Sequence, residues 1–455
     1  MIMIDNIKLA NYKSFFADQV KEAIDEQQKI NRSQMRNLFK TGELSLAYVD
    51  SIQHETGMII LKCPRRMAPR LKVLKGVCII KKGAKQALGE HVTEWICRWD
   101  EFVDNKDFHS PGSDMTPMYY VHTGDSNYDY VACSGFSFKL YDILSKALVD
   151  GKSLSLIVHN PFPPVEYFRN LASYMDAFSS NDELNLEPTI DYEEWTPEEL
   201  AFDEQKPTGI SDTIIDTLAN EHCCIVQGPP GTGKSYTIAS VISSYLDAGK
   251  TVCVTTMANK GLIELIKQKP LQKYVKEGRV SKTNLSIDER KQVSGVKAAS
   301  ADLQVPGGEM LCATNYQLSS VFSEKKMTLY GLSQYDLVVI EEASQAFLTA
   351  IVAFKQLGID CLIVGDPMQL PPIVKLNNPQ YNSWNVATQV EGLKSMALGT
   401  SIKSYRIVTT FRLTSRSASL TKCFYGNRFV SVKQDYLDFT KANSVLFPQD
   451  GGVLY

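Results

Sequence analysis

The stretch that most constrains this chain is "CCIVQGPPGTGKSYTIASVISSYL" (Cys223–Leu246). Four apolar residues run into a loop rich in glycine and proline. A Lys-Ser pair then opens an apolar segment with helical periodicity. Gly228, Gly231 and Gly233 free the backbone to turn its amides inward, with Pro229, Pro230 and Thr232 between them. The helix that follows points its partial positive end at the loop, so strand, loop and helix together form a cradle for the phosphates of a nucleotide. Lys234 supplies a point charge for the terminal phosphate, and the Ser235 hydroxyl is placed for Mg²⁺.

A strand of this kind belongs in a sheet with helices on both faces, and the chain offers four more: "TVCVTT", "MLCATN", "DLVVIEE" and "CLIVGD". Such short, nearly all-apolar runs predict an α/β domain with a parallel sheet over residues 208–400. Two of them end in chemistry. "DLVVIEEASQAF" (Asp336–Phe347) places Glu341 and Glu342 at the C-terminal edge of its strand, where open α/β sheets bind ligands. A Mg-nucleotide site needs one carboxylate to hold the metal and another to polarise the attacking water, roles that fall to Glu341 and Glu342 respectively. "CLIVGDPMQLPP" (Cys361–Pro372) brings Gln369 to the same edge, able to bond the terminal phosphate or the attacking water.

At 455 residues, with 44% hydrophobic and 22% charged, the chain has room for two or three domains. Residues 1–40 read as a helical segment. Residues 41–178 read as a small β-rich, barrel-like domain of short strands. The acidic, three-proline stretch 179–207 reads as a linker. No run approaches the ~18 apolar residues of a membrane span, and the N-terminus lacks a signal-peptide pattern, so a cytoplasmic protein with no membrane partner is expected. The ten cysteines include no CxxC pair and several lie in strand-like runs, which suits small buried hydrophobes in a reducing compartment. A net charge of −3 leaves attraction to nucleic acid to a local patch, and Lys260–Lys297 carries ten basic against four acidic residues.

"GPPGTGKS", "VVIEEASQA" and "VGDPMQLPP", in this order, resemble the superfamily 1 helicases. "EEASQ" with "GDPMQLPP" resembles the 1B branch that includes the nonsense-mediated mRNA decay helicase and senataxin. The likeness extends over residues 210–430. "VTTMANKGLIELI" and "LCATNYQL" resemble the family's nucleic-acid-contacting strand ends, which assigns Thr256, Asn259, Thr314 and Asn315 to single-stranded DNA or RNA. "TTFRLTSRSASLTKCFYGNRF" resembles the segment opening a second RecA-like domain. By that likeness Phe411 stacks near the adenine and Arg412 acts as an arginine finger. The resemblance implies a RecA-like P-loop NTPase fold and an ATP-dependent helicase or translocase.

Three departures accompany it. Family members carry Asp-Glu where this chain has Glu341-Glu342. The adenine-reading glutamine ahead of the phosphate loop is missing, and Gln205 lies too early. The region 401–455 holds only the start of a second RecA-like domain, so an interrupted reading frame or a second chain supplying the remainder is expected. These departures keep open an alternative: a nucleic-acid-binding ATP switch with little or no hydrolysis.

Overall fold

The structure, a computed structural model, describes residues 2–34, 36–38, 165–186, 189–285, 287–300, 302–323, 326, 335–374 and 386–433, together with 45–53, 55–56, 58–64, 77–81, 118–121, 127–133, 142, 145–146 and 154–158. Its centre is a nine-stranded sheet built from β7 (Glu198–Leu200), β8 (Cys223–Gln227), β9 (Val252–Thr256), β10 (Val280–Lys282), β11 (Lys297–Ala298), β12 (Met310–Thr314), β13 (Tyr335–Ile340), β14 (Gly358–Gly365) and β15 (Lys403–Ile407). The spatial order is β11-β10-β12-β9-β13-β14-β8-β15-β7, and every pair is parallel.

Strand side chains alternate between two cores. Cys223, Ile225, Cys253, Leu311, Val338, Ile340, Cys361 and Ile363 face one core, and Cys224, Val226, Val254, Cys312, Leu337, Val339, Leu362 and Val364 face the other. The second core is closed by α3 (Gly209–Glu221), α4 (Lys234–Asp247) and α5 (Asn259–Ile266), which contribute Ile214, Ile242 and Leu262. The first is closed by α1 (Ile2–Arg32), α2 (Glu166–Ala177) and α6 (Leu348–Lys355). On α1, Leu9, Tyr12 and Phe16 recur at helical spacing and are buried together with Phe15. Phe16 meets Phe347 edge-on at 5.5 Å between ring centroids, just beyond the paired glutamates.

The β-rich region forms a six-stranded sheet of β1 (Ser45–Gln53), β2 (Met58–Pro64), β3 (Val77–Lys81), β4 (Met118–Val121), β5 (Tyr128–Cys133) and β6 (Leu154–Val158). All its pairs are antiparallel, in the order β3-β6-β1-β2-β5-β4. Among the described residues it is open, because no ladder joins β3 to β4.

Three expected boundaries shift. Residues 179–207 are no linker: β7 lies inside them and pairs with β15 at the sheet edge, and Leu184 and Trp195 are buried in the first core. Helix α2, expected within the β-rich domain, packs against the large sheet instead. The large sheet also runs past residue 400, since β15 lies directly beside β8. Beyond it, β16 (Thr409–Thr410) pairs with β17 (Val430–Ser431), and Ala418, Tyr425 and Phe429 form a small separate core. Residues 434–455 fall outside the described residues.

Candidate active site

The phosphate-binding loop leaves β8 and closes on α4. Gly231 (φ 76°) and Gly233 (φ 78°) take left-handed backbone. Gly231 also needs its missing side chain, because a Cβ there would lie 2.2 Å from the Cβ of Arg412. The segment after β15 is bonded to the loop: the Phe411 amide donates to the Gly231 carbonyl at 2.8 Å, and the Thr410 hydroxyl donates to the Pro230 carbonyl at 3.1 Å. The same Thr410 oxygen accepts from the amides of Arg412 and Leu413, both at 3.3 Å, which orients the turn carrying Arg412. Phe411 packs edge-on against Phe202, with centroids 5.0 Å apart, and lies over Gly233.

Lys234 folds its ammonium onto the Gly228 carbonyl. Burial pulls its pKa down, and the carboxylates of Glu342, Asp366 and Glu341 oppose that pull. The Ser235 hydroxyl donates to Glu341 Oε1 at 3.2 Å. Glu341 is only 4% exposed, and among the described residues its Oε2 has no hydrogen-bond partner. A hydroxyl and a carboxylate with one unused buried oxygen fit the few protein oxygens through which Mg²⁺ is held beside phosphates. Glu342 follows in left-handed backbone (φ 53°) and is half-buried. That conformation costs a non-glycine residue about 1 kcal/mol.

Burial raises the Glu341 carboxyl from 4.5 to about 7, assisted by Glu342 and opposed by Ser235 and Lys234. The folded protein therefore holds this proton more tightly than the unfolded chain. The resulting stability is fully present below pH 4.5 and is lost as the pH rises through about 7. Thermal unfolding in the presence of a chelator should show wild type losing about 3 kcal/mol relative to Glu341→Gln across that window. A flat difference would mean that the carboxyl is not desolvated.

Asp366, directly after β14, is a buried hub that nothing in the sequence pattern marks as one. Its Oδ1 accepts from Gln227 Nε2 at 3.2 Å and from the Met368 amide at 3.1 Å. Its Oδ2 accepts from the Tyr425 hydroxyl at 2.9 Å and from Gln369 Nε2 at 3.4 Å. Gln227 in turn accepts from Arg406 Nε at 2.6 Å and donates to the Tyr192 hydroxyl at 2.8 Å. Gln369, expected at the phosphate, is thus held by Asp366. One carboxylate ties the base of the phosphate loop, the Gln369 turn and the segment beyond Arg412.

The nucleic-acid edge differs from expectation. Thr256, Thr314 and Asn315 are buried: Thr314 caps its own turn by accepting from the Gln317 amide, and Asn315 Oδ1 accepts from Thr255 at 2.7 Å. Of the four residues named, only Asn259 is exposed. Tyr274 and Phe322 are core residues, whereas Tyr316 is exposed. At least five of the ten basic residues in that stretch are in ion pairs: Lys267 with Glu264, Lys273 with Asp247, Arg279 with Glu277, Lys282 with Glu289 and Lys297 with Glu309.

A family described as an AAA domain matches residues 211–375. The DNA replication ATP-dependent helicase/nuclease dna2 of Schizosaccharomyces pombe is 29% identical over 245 residues, 50% of this chain and 16% of that protein. The Saccharomyces cerevisiae protein described in the same words is 26% identical over 207 residues, 42% of this chain and 12% of that one. The chain carries an AAA domain over residues 211–375 and is similar to these helicase/nucleases over about half its length. It spans less than a fifth of the length of these two curated relatives. Among solved structures, the arterivirus nonstructural protein 10 helicase in complex with DNA aligns with a TM-score of 0.29 and 14% identity, covering 50% of this chain and 45% of that one. The Pif1 helicase from Candida albicans aligns at 0.25 and 14%, covering 45% and 40%. Among the described residues no helix is long and apolar enough to cross a membrane.

Proposed function

We propose that this chain hydrolyses Mg-ATP and couples hydrolysis to movement on single-stranded DNA or RNA, as a helicase or translocase of the 1B branch. The observation that carries the reading is the Ser235–Glu341 contact at the C-terminal sheet edge, with the second Glu341 oxygen unused beside the Lys234 loop. Ser235 and Glu341 would hold Mg²⁺, which when bound would screen phosphate charge. Lys234 steadies the terminal phosphate, Glu342 polarises the attacking water, and Gln369 leaves Asp366 to sense the phosphate. Arg412 reaches in from the segment bonded to Gly231. Phe411, held edge-on against Phe202, offers a face to the base. Asn259 contacts the nucleic-acid backbone at the same sheet edge. The buried free thiols of Cys223, Cys224, Cys253, Cys312 and Cys361 suit a reducing compartment such as the cytoplasm.

The test is ATP turnover with and without single-stranded DNA or RNA. Stimulation by at least one polymer is expected, together with a fall of about 10²–10⁴-fold on Glu342→Gln as the water loses its general base. Tight Mg-ATP binding with no phosphate release, unchanged in the variant, would favour a switch over a motor.

A further inference from the structure

The least expected charge in the molecule is Lys282, at the end of β10. Its side chain is 0% exposed although it carries an ammonium. Its donors go to Asn259 Oδ1 at 2.7 Å, the Thr283 carbonyl at 3.1 Å and Glu289 at 3.3 Å. A buried ammonium is tolerated only when paired and hydrogen-bonded in this way. Nothing in the hydrolysis scheme uses it.

Its geometry nevertheless decides the orientation of a neighbour. An ammonium only donates, so the atom of Asn259 facing it must be the carbonyl oxygen and not the amide nitrogen. Holding Oδ1 inward leaves Nδ2, a donor, on the outer side of an exposed residue. Asn259 opens α5, whose N-terminus has no side-chain cap, so donors of the backbone and of this amide lie at one place. Donors without acceptors are the chemistry that meets a phosphate oxygen.

We propose that Lys282, backed by Glu289, is a positioning residue for nucleic-acid binding: it locks the Asn259 amide with its NH₂ toward the phosphodiester backbone. This rests on the reading that Asn259 contacts single-stranded nucleic acid. Lys282 itself stays inside and touches no phosphate.

The experiment is a double-mutant cycle on the whole chain, reading the Kd of fluorescein-labelled oligothymidylate or oligouridylate by anisotropy, with thermal unfolding as the control for folding. Lys282→Met is expected to raise Kd about tenfold when Asn259 is present and by less than about twofold in an Asn259→Ala background, because the coupling runs through that amide. Glu289→Gln, a milder change that keeps the ammonium, should raise Kd about threefold and lose its effect in the same background. It carries the test if Lys282→Met does not fold. Equal losses in both backgrounds, or no loss, overturn the proposal and make Lys282 a support of the strand end only. An Asn259→Ala variant that binds like wild type overturns it as well while leaving the helicase reading standing. If wild type binds neither oligonucleotide, both readings fall together.

Discussion

Lys234→Ala is expected to reduce ATP turnover at least about a thousandfold, because charge-stabilising groups of this kind supply most of the catalysis in phosphoryl transfer. The ammonium lies among Glu341, Glu342 and Asp366, and burial already draws its pKa down. A partly desolvated cation interacts more strongly with a phosphate than a surface lysine would. Its stem also packs on Gly228, where a Cβ would come within 2.2 Å of it, so loop and side chain are built around each other. Phosphate release and fluorescent-nucleotide binding should both decline, with turnover affected more. Residual turnover within tenfold of wild type would remove Lys234 from the centre of the site.

Arg412→Ala should separate binding from chemistry. The guanidinium is exposed and its backbone is fixed from behind by the Thr410 hydroxyl and by Phe411 on Gly231. Removing the side chain therefore leaves the loop intact, and nucleotide affinity should stay within a few-fold. If Arg412 is the arginine finger proposed, the maximal rate should fall by about three orders of magnitude. A loss in affinity with an unchanged maximal rate would reassign Arg412 to ground-state binding.

Much of this site could be read from the sequence because its strands are apolar on both faces and announce themselves as runs. The loops at their ends then had to meet at one edge. The paired glutamates, the phosphate loop and the Phe411–Arg412 segment do converge there. What stayed hidden was polar. The stretch 179–207 looks solvated by composition, yet a three-residue strand and two buried apolar side chains inside it complete the sheet edge and the core. Asn315 looks like a contact residue, but its oxygen is satisfied by Thr255, sixty positions earlier. An inward polar side chain and an outward one look alike until such distant partners are brought together. The same holds for Lys282, which reads as one more cation in a basic stretch and is instead wholly enclosed.

The packing of α1 against Phe347 sets a schedule for synthesis. The stripe of Leu9, Tyr12, Phe15 and Phe16 is made before the phenylalanine that Phe15 and Phe16 meet edge-on, which follows roughly 330 residues later. At the usual elongation rates that interval is roughly 15 to 65 s. Throughout it the helix has an aromatic face and no sheet core to bury it in. That face therefore stays without its partner until β13 and Phe347 have been made.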